Sequence, residues 1–400
     1  MKRFAYLLLV IGCVCGLFSC DDENKVKITN YTLNLSTPDS LKEATLSDIT
    51  TTFENVNSGK KSTESSCINN QVTIDLPEGL YHITVEGKIH YTWEGKQLTS
   101  TIKGYKESVS VVGETMNSNI PLFLYSSNAD FVISEIFFAG TQTAEGKQYY
   151  GDQYIKIYNN SDKILYADGL AIVSSEFSNN YKQDISPDIR STGFAINSLV
   201  IIPGNGNEHP VQPGESLIIA TDAIDHRQAT ANSFDLRKAD FELYLDGSYE
   251  GDIDNPEVPN MINIYNFLII NNQGNQTYAL VRLPVSTENF LKNNKYDYKW
   301  TFVYPGGTLV NDESCYQVPN HWIVDAVNLC PSKEYEWLVT APSVDMGYAF
   351  VTENASSNDR YGKSIRRKIE KKSSNGQEIL QDTNNSNVDF IHGAIPSLKK

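Results

Sequence analysis

Few of the side chains that carry metal, redox or nucleophilic chemistry are present. The 400-residue chain has six cysteines, six histidines, four tryptophans and four methionines. Half of the cysteines (Cys13, Cys15 and Cys20) lie at the very start, leaving Cys67, Cys315 and Cys330 for the rest of the chain. There is no G-x-S-x-G elbow and no H-E-x-x-H pair of metal ligands. "GNGN" (204–207) lacks the spacing, the lysine and the helix of a phosphate loop and reads as a hairpin turn. After residue 19 no run approaches the roughly 18 apolar residues a membrane-spanning helix needs. "LVII" (199–202) and "FLII" (267–270) are strand-sized. Positive charge is also scarce: 33 Lys and Arg face 49 Asp and Glu, for a net charge of −16. Such a surface repels polyanions, so nucleic acid is an unlikely partner.

What is present is β-forming. The chain carries 23 Tyr and 16 Phe alongside abundant Thr, Val and Ile, a composition that favours strands. The expected fold class is all-β: two immunoglobulin-like or other β-sandwich domains, the second with long loop insertions.

The first residues read as a targeting segment. Lys2 and Arg3 form a basic start, and "FAYLLLVIGCVCGLFS" is an apolar stretch too short to span a bilayer comfortably. Leu17, Ser19 and Cys20 resemble a bacterial lipobox, in which cleavage precedes a cysteine that carries lipid. "VIGC" at Cys13 is a rival that would leave an apolar mature start. The alternative is an ordinary signal peptide without lipid. Cys20 is therefore the expected lipid-attachment site, with residues 1–19 the signal and 20–25 an acidic tether. Asp21, Asp22 and Glu23 resemble the acidic stretch that follows the lipid cysteine in Bacteroides-type lipoproteins displayed on the outer membrane. That resemblance implies an outer-membrane, lipid-anchored protein facing the exterior.

Residues 26–125 read as one β domain. In "PEGLYHITVEGKIHYTW" (77–93), Tyr81, Ile83, Val85, Ile89, Tyr91 and Trp93 keep to odd positions, the period-2 signature of a half-buried strand or hairpin. Tyr31, Leu33 and Leu35 form a similar face. "LPEGLYHITVEG" with a later "NIPLFL" resembles transthyretin-like, carboxypeptidase-regulatory-type sandwiches, which implies a supporting rather than a catalytic module.

A second domain is expected over 130–400. "FVISEIFFAG" (131–140), "YGDQYIKIYNNSDKILYADGLAIV" (150–173), "VQPGESLIIA" (211–220) and "WIVDAVN" (322–328) resemble strands of lamin-tail-like sandwiches. "YGKSIRRKI" followed by "LQDTNNSNVDF" (380–390) resembles the closing strands, and more closely a family of Bacteroides-type surface lipoproteins of unknown function. The resemblance implies a surface location and association with outer-membrane receptors, and no activity. Insertions are expected at 174–192, 222–262 and 284–320 as long polar loops.

No catalytic residue and no cofactor are expected. His321 near Asp325 could form an oriented imidazole, but no nucleophile accompanies it. In "YLDGSYEGDIDNPE" (244–257), Asp246, Asp252 and Asp254 are weak candidates for Ca²⁺ ligands, with a solvated acidic loop the preferred reading. Cys315 and Cys330 bracket a short segment and could form a disulfide worth about 3 kcal/mol, or remain two buried thiols. "RYGKSIRRKIEKK" (360–372) reads as a strand with an exposed basic face, with a polyanion patch as the alternative. "DSL" (39–41) resembles a short O-glycosylation sequence. The functional expectation is a binding or accessory protein that partners an outer-membrane β-barrel receptor or transporter. The alternative is an adhesin or glycan-binding protein using exposed aromatics.

Overall fold

The structure is a computed structural model describing residues 26–37, 42–93, 96–125, 131–190, 192–245, 252–341, 344–345, 347–373 and 375–399. Cys20 and its acidic tether, Asp246 and the "DSL" sequence lie outside the described residues. The architecture is all-β, as expected, and among the described residues no sheet closes into a barrel.

Residues 28–125 form two sheets. In the smaller, Ile28–Ser36 lies between Gln71–Pro77 (antiparallel) and Thr115–Pro121 (parallel). The larger runs in the order Lys61–Glu64, Lys42–Asn55, Gly79–Trp93, Lys96–Val111, Phe123–Tyr125. The alternating stretch is a single strand, and Tyr81, Ile83, Val85, Ile89 and Tyr91 are buried together with Tyr31, Leu33 and Leu35. Gly87 occupies the same inward row, where a Cβ would crowd the neighbouring backbone, 3.1 Å from the Ser47 carbonyl oxygen and 3.2 Å from Ile49 Cα. His82 and His90 fall on the opposite face and are half-buried.

Residues 131–394 form two larger sheets. One has six strands, in the order Phe241–Glu242, Ser216–Ala220, Tyr154–Asn159, Phe131–Phe137, Ser364–Arg367, Phe390–Ala394. The other has eight. Its main path is Asp184–Ser186, Lys295–Tyr304, Gly307–Pro319, Gly193–Ile201, Leu170–Ser178, Gln276–Arg282, Ile323–Asn328. Ile133, Ile155 and Ile365 from the first sheet and Ile172, Leu280 and Val327 from the second share one core between the sheets. A second core covers the outer face of the eight-stranded sheet. There Ala171, Val173 and Ala279 meet Phe290 of the short helix Thr287–Asn293, together with Trp337 and Val339. Strands covered on both faces read as unbroken apolar runs. Among the described residues, no strand of 28–125 pairs with one of 131–394.

The basic run departs from expectation. Lys371 and Lys372 are exposed, but Arg360 and Arg367 are buried. Arg367 donates through Nη2 to both carboxylate oxygens of Asp325, at 2.8 and 2.6 Å. Its Nε donates to the Ile133 carbonyl at 2.9 Å, and its Nη1 to the Gln381 carbonyl at 3.0 Å. Asp382 and Asp389 lie 3.4 and 3.7 Å from Nη1, and the Phe390 ring lies against the guanidinium, 4.7 Å from Cζ. Asp325 returns the contact to the first strand by accepting the Ile133 N–H at 2.6 Å. The cluster therefore fastens one sheet to the other. Burial pushes the Asp325 and Asp389 carboxyls up, and Arg367 pulls them back down. The run fails as a solvated face because its central arginine is the counter-ion of these carboxylates.

The cysteines also settle differently from the disulfide alternative. Cys315 and Cys330 are separate buried thiols. Cys315 lies on Gly307–Pro319 and Cys330 just beyond Ile323–Asn328, strands four places apart in the sheet. At about 4.8 Å per strand the separation is on the order of 19 Å, far beyond the reach of a disulfide.

Removing Arg367 leaves two buried carboxyl groups without their cation. Arg367→Ala is expected to destabilise the chain by about 3–5 kcal/mol, read as a lower midpoint in chemical denaturation. A loss below about 1 kcal/mol would mean the cluster does not hold the sheets.

Candidate functional site: a protruding hairpin

The segment expected as a polar loop over 284–320 is instead a helix and a long hairpin. Ser286 caps the helix Thr287–Asn293 by accepting the Asn289 N–H. The chain then runs out along Lys295–Tyr304, turns at Pro305–Gly306 and returns along Gly307–Pro319. The sequence signal was period-2 alternation. Tyr296, Tyr298, Trp300, Phe302 and Tyr304 stand at even positions, with Lys295, Asp297, Lys299 and Thr301 between them. The charged residues lower the average hydrophobicity of the segment and hide the stripe.

The base of the hairpin is anchored. Tyr296 and Tyr298 are buried, stacked at 5.1 Å. The Tyr296 hydroxyl donates to the Pro187 carbonyl at 2.6 Å and the Tyr298 hydroxyl to Glu176 Oε1 at 2.9 Å. Phe177 packs edge-on against Tyr298. Burial pushes the Glu176 carboxyl above its usual range. Burial also raises the Cys315 thiol to about 12, leaving it protonated and inert.

Beyond the base, sheet support ends. On one flank Asp184–Ser186 pairs with Lys299–Thr301; on the other Gly193–Ile196 pairs with Tyr316–Pro319. Among the described residues, the outer edges of the remaining ribbon have no strand partner, and residues 302–310 are all exposed. Residues 300–311 include no charged side chain. Directly opposed residues share a face. The pairs Trp300/Asn311, Phe302/Leu309 and Tyr304/Gly307 therefore make one face, and Thr301/Val310 and Val303/Thr308 the other. The rings of Trp300, Phe302 and Tyr304 follow one another at 6.3 Å intervals. Val303 is 73% exposed, on the face opposite the rings. The tip is thus apolar on both sides. Its shaft is polar, with ion pairs Lys295–Asp297 and Lys299–Asp312. An open groove of about 520 Å³, lined by Ser186, Pro187, Asp297, Lys299, Asp312 and Glu313, lies beside the shaft.

The other residues expected to carry function are dispersed. His321 is exposed at the surface, while Asp325 is committed to Arg367 rather than to an imidazole. Asp252 accepts the Leu245 N–H at 2.6 Å, and Asp254 accepts from Asn260 Nδ2 at 2.9 Å. Asp252 also meets Asp222, a residue the sequence reading passed over. Burial pushes the Asp222 carboxyl up, and the neighbouring Asp252 pushes it further. Nearby, His226 is buried and its Nδ1 meets the Tyr149 hydroxyl at 2.7 Å. Asp152 is also buried, and burial raises its carboxyl to about 6 despite hydrogen bonds from Thr141 and Ser233.

The sandwich fold and the exposed hairpin define a β-scaffold that presents an element at its edge. The comparisons agree at the level of fold. A family model described as a protein of unknown function, DUF4876, matches residues 212–397. The chain is similar to the crystal structure of a DUF4876 family protein from Bacteroides thetaiotaomicron, at 20% identity and a TM-score of 0.53, covering 93% of this chain and 97% of that one. No curated protein matches the chain. The likeness read from the C-terminal strands to a family of unknown function in Bacteroides-type bacteria thus has a counterpart in both findings.

Asp222 makes a testable contribution to stability. Its folded-state pKa lies above the ordinary value of 3.8. The stabilisation from its bound proton is present below that value and lost as pH rises through the elevated one. The chain is expected to melt at lower temperature in mildly alkaline than in mildly acidic buffer, and Asp222→Asn to flatten that dependence. An unchanged profile in the variant would contradict the pairing.

Proposed function

We propose that the protein is a lipid-anchored binding or accessory protein of the outer membrane, facing the cell exterior and partnering a β-barrel receptor or transporter. The observation that carries this reading is the hairpin tip. An apolar ribbon without charge or sheet support is stabilised when a partner covers it, and exposed apolar patches of this kind mark interaction sites. A net charge of −16 disfavours an anionic lipid surface as the occupant and favours an apolar protein pocket. In this reading residues 1–19 are a signal, Cys20 carries the lipid, and residues 26–125 and 130–400 act as two domains, the first spacing the second from the membrane. Confinement to the membrane plane raises the effective concentration of partner. A second reading, glycan binding, is favoured by the evenly spaced rings of Trp300, Phe302 and Tyr304.

Co-purification from detergent-solubilised outer membranes tests the first reading. The wild-type chain is expected to bring down a β-barrel protein. A Phe302→Ser, Val303→Ser, Leu309→Ser variant is expected to lose it while melting within about 2 °C of wild type, because these positions are solvent-exposed. Undiminished recovery of the barrel with the variant would overturn the role of the hairpin. For the anchor, Cys20→Ala is expected to release the chain from membranes; a variant that stays bound and incorporates labelled palmitate would redirect attention to Cys13.

A further inference from the structure

Asp168, Glu208 and His209 come together at the end of the six- and eight-stranded sandwich. The stem of their loop is fixed by pairing of Leu165–Tyr166 with Pro210–Val211. Asp168 is buried and organises the loop: Oδ1 accepts the N–H groups of Gly206 and Glu208 at 3.2 and 2.9 Å, and Oδ2 accepts that of His209 at 2.9 Å. Gly204 is required at the turn, since its φ is +128° and a Cβ would fall 2.0 Å from Asp168 Oδ1. The side chains of Glu208 and His209 then turn towards Asp168, and one ligand atom from each of the three lies within 4.8 Å of the others. Among the described residues this is the one group of at least three His, Cys, Asp or Glu side chains so arranged.

Bracing of the loop explains Asp168. It does not explain the convergence of Glu208 and His209. Two carboxylates facing one another at this distance repel unless a cation lies between them. Three backbone N–H groups point at the Asp168 carboxylate, an arrangement that favours its charged form. Arg282 donates to the main-chain oxygens of Asp168 and Tyr166, at 2.8 and 2.6 Å.

We infer that Asp168, Glu208 and His209 bind a divalent transition-metal ion of the Zn²⁺ type. A carboxylate offers about four lone-pair positions. Three on Asp168 are taken by N–H groups, and Oδ2, with a single donor, keeps one for the ion. Glu208 Oε1 accepts from Asn205 Nδ2 at 2.6 Å, leaving Oε2. His209 is held with its ring against Phe241, 4.9 Å between centroids. One imidazole nitrogen with two carboxylate oxygens is a borderline donor set, suited to Zn²⁺ over Ca²⁺ or Mg²⁺. Bonds of about 2.1 Å place tetrahedral ligand atoms about 3.4 Å apart, and the exposed Glu208 can close that gap by rotation. Three protein ligands leave a further position for water or an external ligand.

Calorimetric titration of Zn²⁺ alone into the full chain, free of any affinity tag, tests the inference. One saturable site per chain is expected. His209→Ala and Glu208→Gln should each weaken it by at least about tenfold, whereas His321→Ala, a change at an exposed histidine elsewhere, should leave it intact. Both site variants should melt like the wild type in metal-free buffer, separating ligand loss from unfolding. Absence of a saturable site in the wild type, or wild-type affinity in Glu208→Gln, would overturn the assignment.

Discussion

The ion cluster around Arg367 is the constraint on which the larger sandwich depends. A guanidinium can be taken out of water only where every donor finds an acceptor and the charge is matched. Here the acceptors come from separate parts of the chain: the Ile133 carbonyl on the first strand of the sandwich, Asp325 on the edge of the opposite sheet and the Gln381 carbonyl near the C-terminus. Asp389 is held in turn by the Thr383 hydroxyl and by the N–H groups of Thr383 and Asn385. The string "DTNNSNVDF" is thus a folded carboxylate cradle. Its specificity as a sequence follows from the number of hydrogen bonds it must make at once. Asp345 plays a related part nearby, accepting from Ser386 and from the Asn328 N–H.

That rigid frame makes the hairpin tolerable. A two-stranded ribbon alone is marginally stable in water. This one is rooted by Tyr296 and Tyr298 in the second core and flanked at its base by strands on both sides. The scaffold can therefore hold an apolar tip in solvent. The same open edges that suit a partner also favour unwanted strand pairing, and the exposed ion pairs along the shaft blunt that tendency near the base.

Much of the fold was legible because it is locally encoded. The odd-position stripe over 79–93 became one strand, and the apolar run at 131–137 became a strand buried on both faces. The errors share a physical origin in pairings the linear order conceals. Arg367 looked solvated because Asp325 lies 42 residues away in sequence. Cys315 and Cys330 looked close because strand order in the sheet is not chain order. The hairpin was hidden by the Lys and Asp residues that alternate with its aromatics. After the Gly193–Ile201 strand, "GNGN" was read as a hairpin turn, but the strands on either side of it, Gly193–Ile201 and Pro210–Val211, do not pair with each other, and the segment is a loop between two sheets. Its role in bringing Glu208 and His209 back to Asp168 required the pairing of Leu165 with Val211.

The central claim is that the hairpin tip, rather than the sandwich surface at large, meets a partner at the cell exterior. Photo-crosslinking on intact cells addresses it most directly, with the reactive residue placed at Val303 or, as a control, at the exposed Asn57. The account predicts an adduct with an outer-membrane β-barrel protein from position 303 and none from position 57. Equal yields from both positions, or no adduct at 303 in cells that display the protein, would contradict it.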